Sequence, residues 1–382
     1  MLTADPSPGA LAGLQQLRHT LHARPELSGA EGETARTLRN TLVETRPDQV
    51  IEGLGGHGLA LVYDSGAPGP SVLFRAELDA LPITEASGVP HASRRAGVAH
   101  LCGHDGHMAI LAGLARHVGQ HRPPRGRVIL LFQPAEETGA GARAVLADPR
   151  FGTLTPDWAF ALHNMPGLAL GRIAVAPGPA SCASVGLHLR WQGREAHAAT
   201  PEIGLSPAPS LAALMALIAP HATPGRLTDG FRQATLCHLS MGARAFGIAP
   251  ARAEAMLTLR TITDSALEQF EDDIRKAVQS DRLPPRISRH DHFNATDNDA
   301  QAAAHIARAA TALGTPKGDF PLPMRPSEDF GAFSATTRTG LFFLGTGRDH
   351  PALHDPHYDF PDALIAPGVA LFARIMDQVT RD

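Results

Sequence analysis

Three stretches far apart in the chain end alike. Residues 71–74, 127–132 and 158–162 are apolar runs of strand length. Each is followed by side chains that bind metals or move protons: Glu77 and Asp79 after the first, Glu136 and Glu137 after the second, His163 after the third. The run 127–132 is continuously apolar, as a central strand of a parallel sheet is when both its faces are covered. Helical stretches alternate with these runs, which is the pattern of an α/β sheet. Open sheets of this kind keep their sites in the crevice beyond the C-terminal ends of the strands. One sheet edge thus collects carboxylates and an imidazole from three segments, and that convergence predicts a metal site.

A fourth segment adds to the same set. Ala99-His100-Leu101-Cys102-Gly103-His104-Asp105-Gly106-His107-Met108 packs a thiol, three imidazoles and a carboxylate into ten residues. Side chains two apart in extended chain point the same way, so Cys102 and His104 are placed to share an ion. Helical spacing begins at Met108 and puts Asp105 in the N-cap position. His100 and His107 read as neighbours. Glu136 and Glu137 divide less clearly: one fits a ligand, the other a general base, and either fits a helix N-terminal acid. Asp79 fits a group that orients a metal-site side chain without binding the metal.

At 382 residues the chain is too long for one typical core, and two domains are expected. A first domain over 1–179 is interrupted at about Pro179. Strands at 183–191, 234–241, 253–261 and 286–292, with helices at 209–218 and 264–278, give the order β-α-β-β-α-β. That is the ferredoxin-like split unit, inserted as 180–292. Asp264 is expected to cap its second helix. The first domain resumes over 293–382 with a helix at 299–313, a strand at 341–344 and a last helix at 364–380. A net charge of −4 without a basic patch argues against nucleic acid. Three cysteines make no disulfide framework, and Cys182 and Cys237, in apolar strand-like surroundings, read as core thiols. No stretch approaches the roughly 18 apolar residues of a membrane span, and the N-terminus lacks the features of a signal peptide. The expectation is a cytoplasmic enzyme with no membrane partner.

The ordered motifs resemble those of the metal-dependent amidohydrolases that include hippurate hydrolase, N-acyl-amino-acid amidohydrolase and the hydrolases of auxin conjugates. The resemblance rests on His22-x-x-Pro25-Glu26-Leu27, Arg75-Ala76-Glu77-Leu78-Asp79-Ala80-Leu81-Pro82, Cys102-Gly103-His104-Asp105-Gly106-His107 and Gln133-Pro134-Ala135-Glu136-Glu137. It continues through His163, Gly193-x-x-x-His197-Ala198-Ala199, Ser327-Glu328-Asp329-Phe330 and Leu353-His354. It implies a two-metal, exopeptidase-like catalytic domain with the insertion serving dimerisation. By position it implies metal ligands at Cys102, His104, Glu137, His163 and His354, a catalytic glutamate at Glu136, and a histidine lent by the dimer partner at His197. It also implies that Arg260 pairs with a substrate carboxylate.

The implied cofactor is a pair of divalent ions, zinc or manganese, with cobalt or nickel also compatible with the donor set. The implied partners are a small amide substrate and a second copy of the chain. The implied reaction is hydrolysis of the amide of an N-acyl amino acid. Some positions depart from the family. Glu77 replaces an aspartate, Gly247 replaces an asparagine that helps hold the substrate's carboxylate, and Glu202 and Ser206 replace a histidine and an aspartate. These changes leave a dipeptidase, or a hydrolase of a carboxylate-free amide or aryl amine, as the alternative enzyme. A catalytically silent metal-binding protein is the alternative of another class, and Glu136 beside a full ligand set argues against it.

Overall fold

The computed structural model describes residues 8–279 and 282–381. They form two compact units. The first holds the described residues up to Ala180, Thr296–Leu322 and those from Asp329 onward; the second holds Ser181–Ala295 and Pro323–Glu328. The segment Pro323–Glu328 therefore groups with the insertion, although its sequence position lies in the last third.

The first unit begins α1 (Pro8–His22), α2 (Gly32–Leu42), β1 (Gln49–Leu54), β2 (Gly58–Asp64), β3 (Ser71–Glu77), α3 (His104–Gln120) and β4 (Arg127–Gln133). It goes on with α4 (Gly141–Ala147), β5 (Trp158–Pro166) and β6 (Ile173–Ala174). The second unit contains β7 (Ala183–Gln192), α5 (Ala208–Ile218), β8 (Arg232–Met241), β9 (Arg252–Thr261), α6 (Asp264–Gln279) and β10 (Arg286–Phe293). The chain then returns through α7 (Ala300–Ala312), β11 (Arg338–Gly347) and α8 (Ile365–Arg381).

Seven strands of the first unit form one sheet in the order β1-β2-β4-β3-β5-β11-β6. The four in the middle are parallel, and β1, β2 and β6 join antiparallel at the edges. Every residue of β3 is buried, as the apolar run implies. The mid-sheet strands therefore point their C-terminal ends to one edge, where Glu77, Gln133 and His163 lie. Strand β1 leaves little signal in the sequence; its burial alternates irregularly and its composition is half polar. Strand β5 runs to Pro166, so His163 stands inside it, opposite Phe343 of β11.

Helix α3 is buried over most of its length. It packs on α8 at two glycines. A Cβ at Gly113 would lie 2.3 Å from Val369 Cγ2, and one at Gly368 would lie 2.6 Å from Ile110 Cδ1. The stretch Asp362–Arg381 is long and apolar enough, by length and composition alone, to cross a membrane, as a buried core helix also can be. In the fold its Leu371, Phe372, Ile375 and Met376 are buried in the core of the first unit.

In the second unit the sheet order is β8-β9-β7-β10, all antiparallel. Numbering these strands one to four along the chain gives the ferredoxin-like order 4-1-3-2. Val185, Leu187 and Leu189 of β7 and Leu257 and Leu259 of β9 share one core with Leu214 of α5 and Phe270 and Ile274 of α6. Asp264 does not cap α6. Its carboxylate accepts from Ala295 N at 2.8 Å and Asn294 Nδ2 at 2.9 Å, while Thr263 Oγ1 accepts from Ala266 N at 3.2 Å. Cys182 is buried, but Cys237 is exposed. The register of β8 against β9 shifts between Leu236 and His238, so the side-chain alternation breaks at that cysteine.

The α3–α8 contact gives a direct test. Gly113→Leu inserts four carbons where none fit and is expected to cost about 1–3 kcal/mol or more. A denaturant midpoint equal to that of the parent chain would contradict this packing.

Candidate metal centre

Asp79 follows β3 and is fully buried. Its backbone oxygen accepts from His104 Nδ1 at 2.8 Å, and its carboxylate accepts from Glu137 N at 2.9 Å and Ser28 Oγ at 2.7 Å. A carbonyl oxygen only accepts, so Nδ1 of His104 carries a proton in either charge state, and in the neutral ring it is Nε2 that presents the lone pair. That Nε2 is buried without a hydrogen bond and lies 3.9 Å from Glu136 and 3.8 Å from Glu137. His163 is held in the same way. Its Nδ1 donates to Asn164 O at 2.7 Å, and its Nε2 faces Cys102 Sγ at 3.6 Å. Metal-binding histidines are oriented by this kind of second hydrogen bond.

The turn between Cys102 and His104 requires glycine. Gly103 sits at φ +90°, and a Cβ there would lie 2.1 Å from Asn164 Oδ1. Helix α3 starts at His104, with Gly103 as the preceding residue. Asp105 is therefore in the first turn and is not the cap. Buried with Arg18 at 3.1 Å and His22 at 2.8 Å, it serves as an internal counter-ion. Burial alone would raise its pKa, but His22 and Arg18 outweigh that and hold the carboxyl well below the usual range.

His354 arrives on a late loop at φ +67°, uncommon for a residue with a Cβ, and Ala135, just before Glu136, stands at φ +51°. The late loop is tied down at several points. His354 N donates to Leu101 O at 2.8 Å, Asn164 Nδ2 to Tyr358 OH at 2.7 Å, and Arg18 pairs with Asp359 at 2.7 Å and Asp362 at 2.6 Å. His354 Nε2 lies 3.5 Å from Glu137.

Ligand-type atoms gather as overlapping groups, each within 4.8 Å: Cys102, His104 and His163; Cys102, Glu137 and His354; and His104, Glu136 and Glu137. The five ligand candidates and Glu136 are thus neighbours in the first unit. His197 and Arg260 belong to the second unit and to none of these groups. A thiol, imidazoles with aimed lone pairs and carboxylates fit a divalent ion such as zinc. The electrostatics agree. Burial opposes charge on His104, but Glu77, Asp79 and Glu137 outweigh it and hold its pKa up at about 10. The cluster therefore demands positive charge. Burial, with His107 beside it, pushes His163 down to about 3, which keeps that ring neutral.

A buried support lies beneath the centre, built from Arg75, Glu77, His107, Gln133 and Asp329, all within the motifs that carry the resemblance. Arg75 donates to Gln133 Oε1 at 3.0 Å, to Glu77, and to Asp329 Oδ1 at 2.6 Å. Asp329 also accepts from Gln133 Nε2 and from Ala142 N at 2.8 Å, and its own N–H donates to Glu136 Oε1 at 3.4 Å. Glu77 accepts from His107 Nδ1 at 2.7 Å, and His107 Nε2 accepts from Asn164 N at 3.1 Å. His107 is thus a neighbour that forms part of the support. His100 is buried with neither ring nitrogen hydrogen-bonded. Apart from the motifs, the signal for this support is Arg75 itself, a charge within an apolar strand run that must find partners inside.

The sequence profile of peptidase family M20/M25/M40 matches residues 73–378. The chain belongs to this family. Among relatives, a hippurate hydrolase of Campylobacter jejuni subsp. jejuni is 29% identical over 94% of this chain and 95% of its own. An N-acetyl-L-cysteine deacetylase of Bacillus subtilis is 29% identical over 91% of this chain and 84% of its own. A Bacillus subtilis crystal structure described as a dinuclear metal-binding peptidase from the M20 family shares the fold, with TM-score 0.83 at 24% identity over 98% and 99% of the two chains. This M20 chain is a metal-dependent amidohydrolase.

The hold of Asp79 on both His104 and Glu137 predicts its role. Asp79→Asn keeps the shape but removes the charge, and metal affinity is expected to fall roughly tenfold. Titration of the demetallated protein with zinc, with circular dichroism to confirm the fold, measures it; unchanged affinity would refute the assignment.

Proposed function

We propose that this M20 enzyme hydrolyses the amide bond of an N-acyl amino acid at a centre of two divalent ions, zinc or manganese. The observation that carries the reading is Glu136: buried, next in sequence to Glu137 and within 4.8 Å of its donors. Cys102, His104, Glu137, His163 and His354 would hold the ions, which when bound supply Lewis acidity to the attacking water and the amide carbonyl. Glu136 accepts the water's proton and returns it to the departing nitrogen. The hydrogen bond from Asp329 N keeps its carboxylate aimed. The buried strand ends below exclude bulk water from the reacting groups.

His197 is exposed on the second unit. Ala199 N donates to its Nδ1 at 3.1 Å, so Nε2 carries the proton and can donate to an oxyanion. Lent by a second copy of the chain, it would complete the site, and the resemblance supports that homodimer. One observation keeps the alternative substrate class in play: Gly247 offers no side chain, and a Cβ there would meet nothing within 4 Å. A carboxylate-free amide or a dipeptide would use the same centre.

Side-by-side assay of hippurate, N-acetyl amino acids, dipeptides and simple aryl amides on metal-loaded protein tests the reading. N-acyl amino acids are expected to be turned over best, and a preference for amides without a carboxylate would overturn it. Glu136→Gln should retain metal stoichiometry while turnover falls about 10²–10⁴-fold; activity at the parent level would remove Glu136 from the mechanism.

A further inference from the structure

Helices α5 and α6 pack on one face of the second unit's sheet, the face that carries Leu187, Leu189, Leu257 and Leu259. Burial alternates along β9, so Glu254 and Met256 point to the opposite face and meet solvent. Register places two imidazoles beside them. His188 of β7 and His238 of β8 are both direct partners of Met256, one on each side. Partners across neighbouring strands share a face. With about 4.8 Å between strands, the two histidines straddle β9 with their backbones about 10 Å apart. Three adjacent strands thus each offer one metal-type donor to the same face.

The side chains converge as the register implies. Nε2 of His188 lies 3.3 Å from Glu254 Oε2, and Nε2 of His238 lies 3.1 Å from Oε1. Arg190 is the cross-strand partner of Glu254 and the stronger counter-ion for a carboxylate, yet the two make no ion pair among the described residues. Two donors on one tetrahedral zinc, each bonded at about 2.0–2.1 Å, stand about 3.3 Å apart. Both contacts to Glu254 have that spacing. They are also shorter than the 3.8 Å and 3.5 Å that separate Glu137 from His104 and His354 in the first unit. The remaining spacing, between the two rings, is wider, since the three donors do not all lie within 4.8 Å of one another. The side chain of His238 is 48% exposed and that of Glu254 41%, so rotation of these groups closes the gap without moving the strands.

We propose that His188, His238 and Glu254 form a zinc site of the second unit's own. Two imidazoles and a carboxylate are a donor set that zinc takes, and a fourth position stays open to water. Each Nε2 gives up its proton to solvent, and its lone pair replaces the hydrogen bond to Glu254 with a bond to the ion. The bound ion ties the edge strand β8 to β9 and β7.

The test is a titration of zinc into the demetallated full chain against a chromogenic chelator. The parent is expected to bind one equivalent more per chain than His188→Ala, His238→Ala or Glu254→Gln, with circular dichroism confirming the fold of each. Cys237, exposed on the same strand as His238, is the competing soft donor. Cys237→Ser should therefore keep the extra equivalent. Diffraction from zinc-loaded crystals at the zinc absorption edge should place an anomalous peak between His188, His238 and Glu254. Equal stoichiometry in the parent and the three variants, loss of the equivalent in Cys237→Ser, or no peak on this face at saturating zinc would overturn the site.

Discussion

Asp79 joins the two halves of the candidate centre at different atoms. Its carbonyl oxygen fixes the tautomer and the ring plane of His104; its carboxylate fixes the backbone of Glu137. The fold makes this possible because β3 ends beside β4, with Leu78 N donating to Gln133 O at 2.8 Å. Two adjacent parallel strands thus release their chains at the same edge, and Asp79 links the segments they release. The glycine turn at Gly103 brings the third element, α3, into the same space with its first residue already a donor.

Charge is handled differently around the centre and within it. Arg75 and Arg18 are almost wholly buried, yet each meets several carboxylates and hydrogen-bond acceptors, so the desolvation cost is offset by pairing. His22 belongs to the same scheme: burial opposes its charge, but Asp105 and Glu85 outweigh it and hold the pKa up at about 10. In the centre itself the carboxylates outnumber the cations, and the unfilled demand shows as the raised pKa of His104. The left-handed backbone at Ala135 and His354 costs of order 1 kcal/mol or more at each residue. Such conformations persist where neighbouring structure over-determines them, as the bonds to Leu101, Asn164 and Arg18 do for the late loop.

Buried strands announce themselves because a chain covered on both faces has no polar positions to show. The same physics makes the strand-end residues legible: an acid or imidazole immediately after such a run cannot avoid the sheet edge. Other features leave weaker traces. The start of α3 falls earlier than its apolar spacing suggests because His104, Asp105 and His107 are buried, so polarity gives no helical stripe to follow. Asp264 has the sequence position of a cap, but its carboxylate serves Asn294 and Ala295, thirty residues on. Cys237 reads as a core thiol because strand alternation predicts burial, and a register shift changes that alternation locally. His354 and His197 carry no local pattern at all; only the resemblance singles them out.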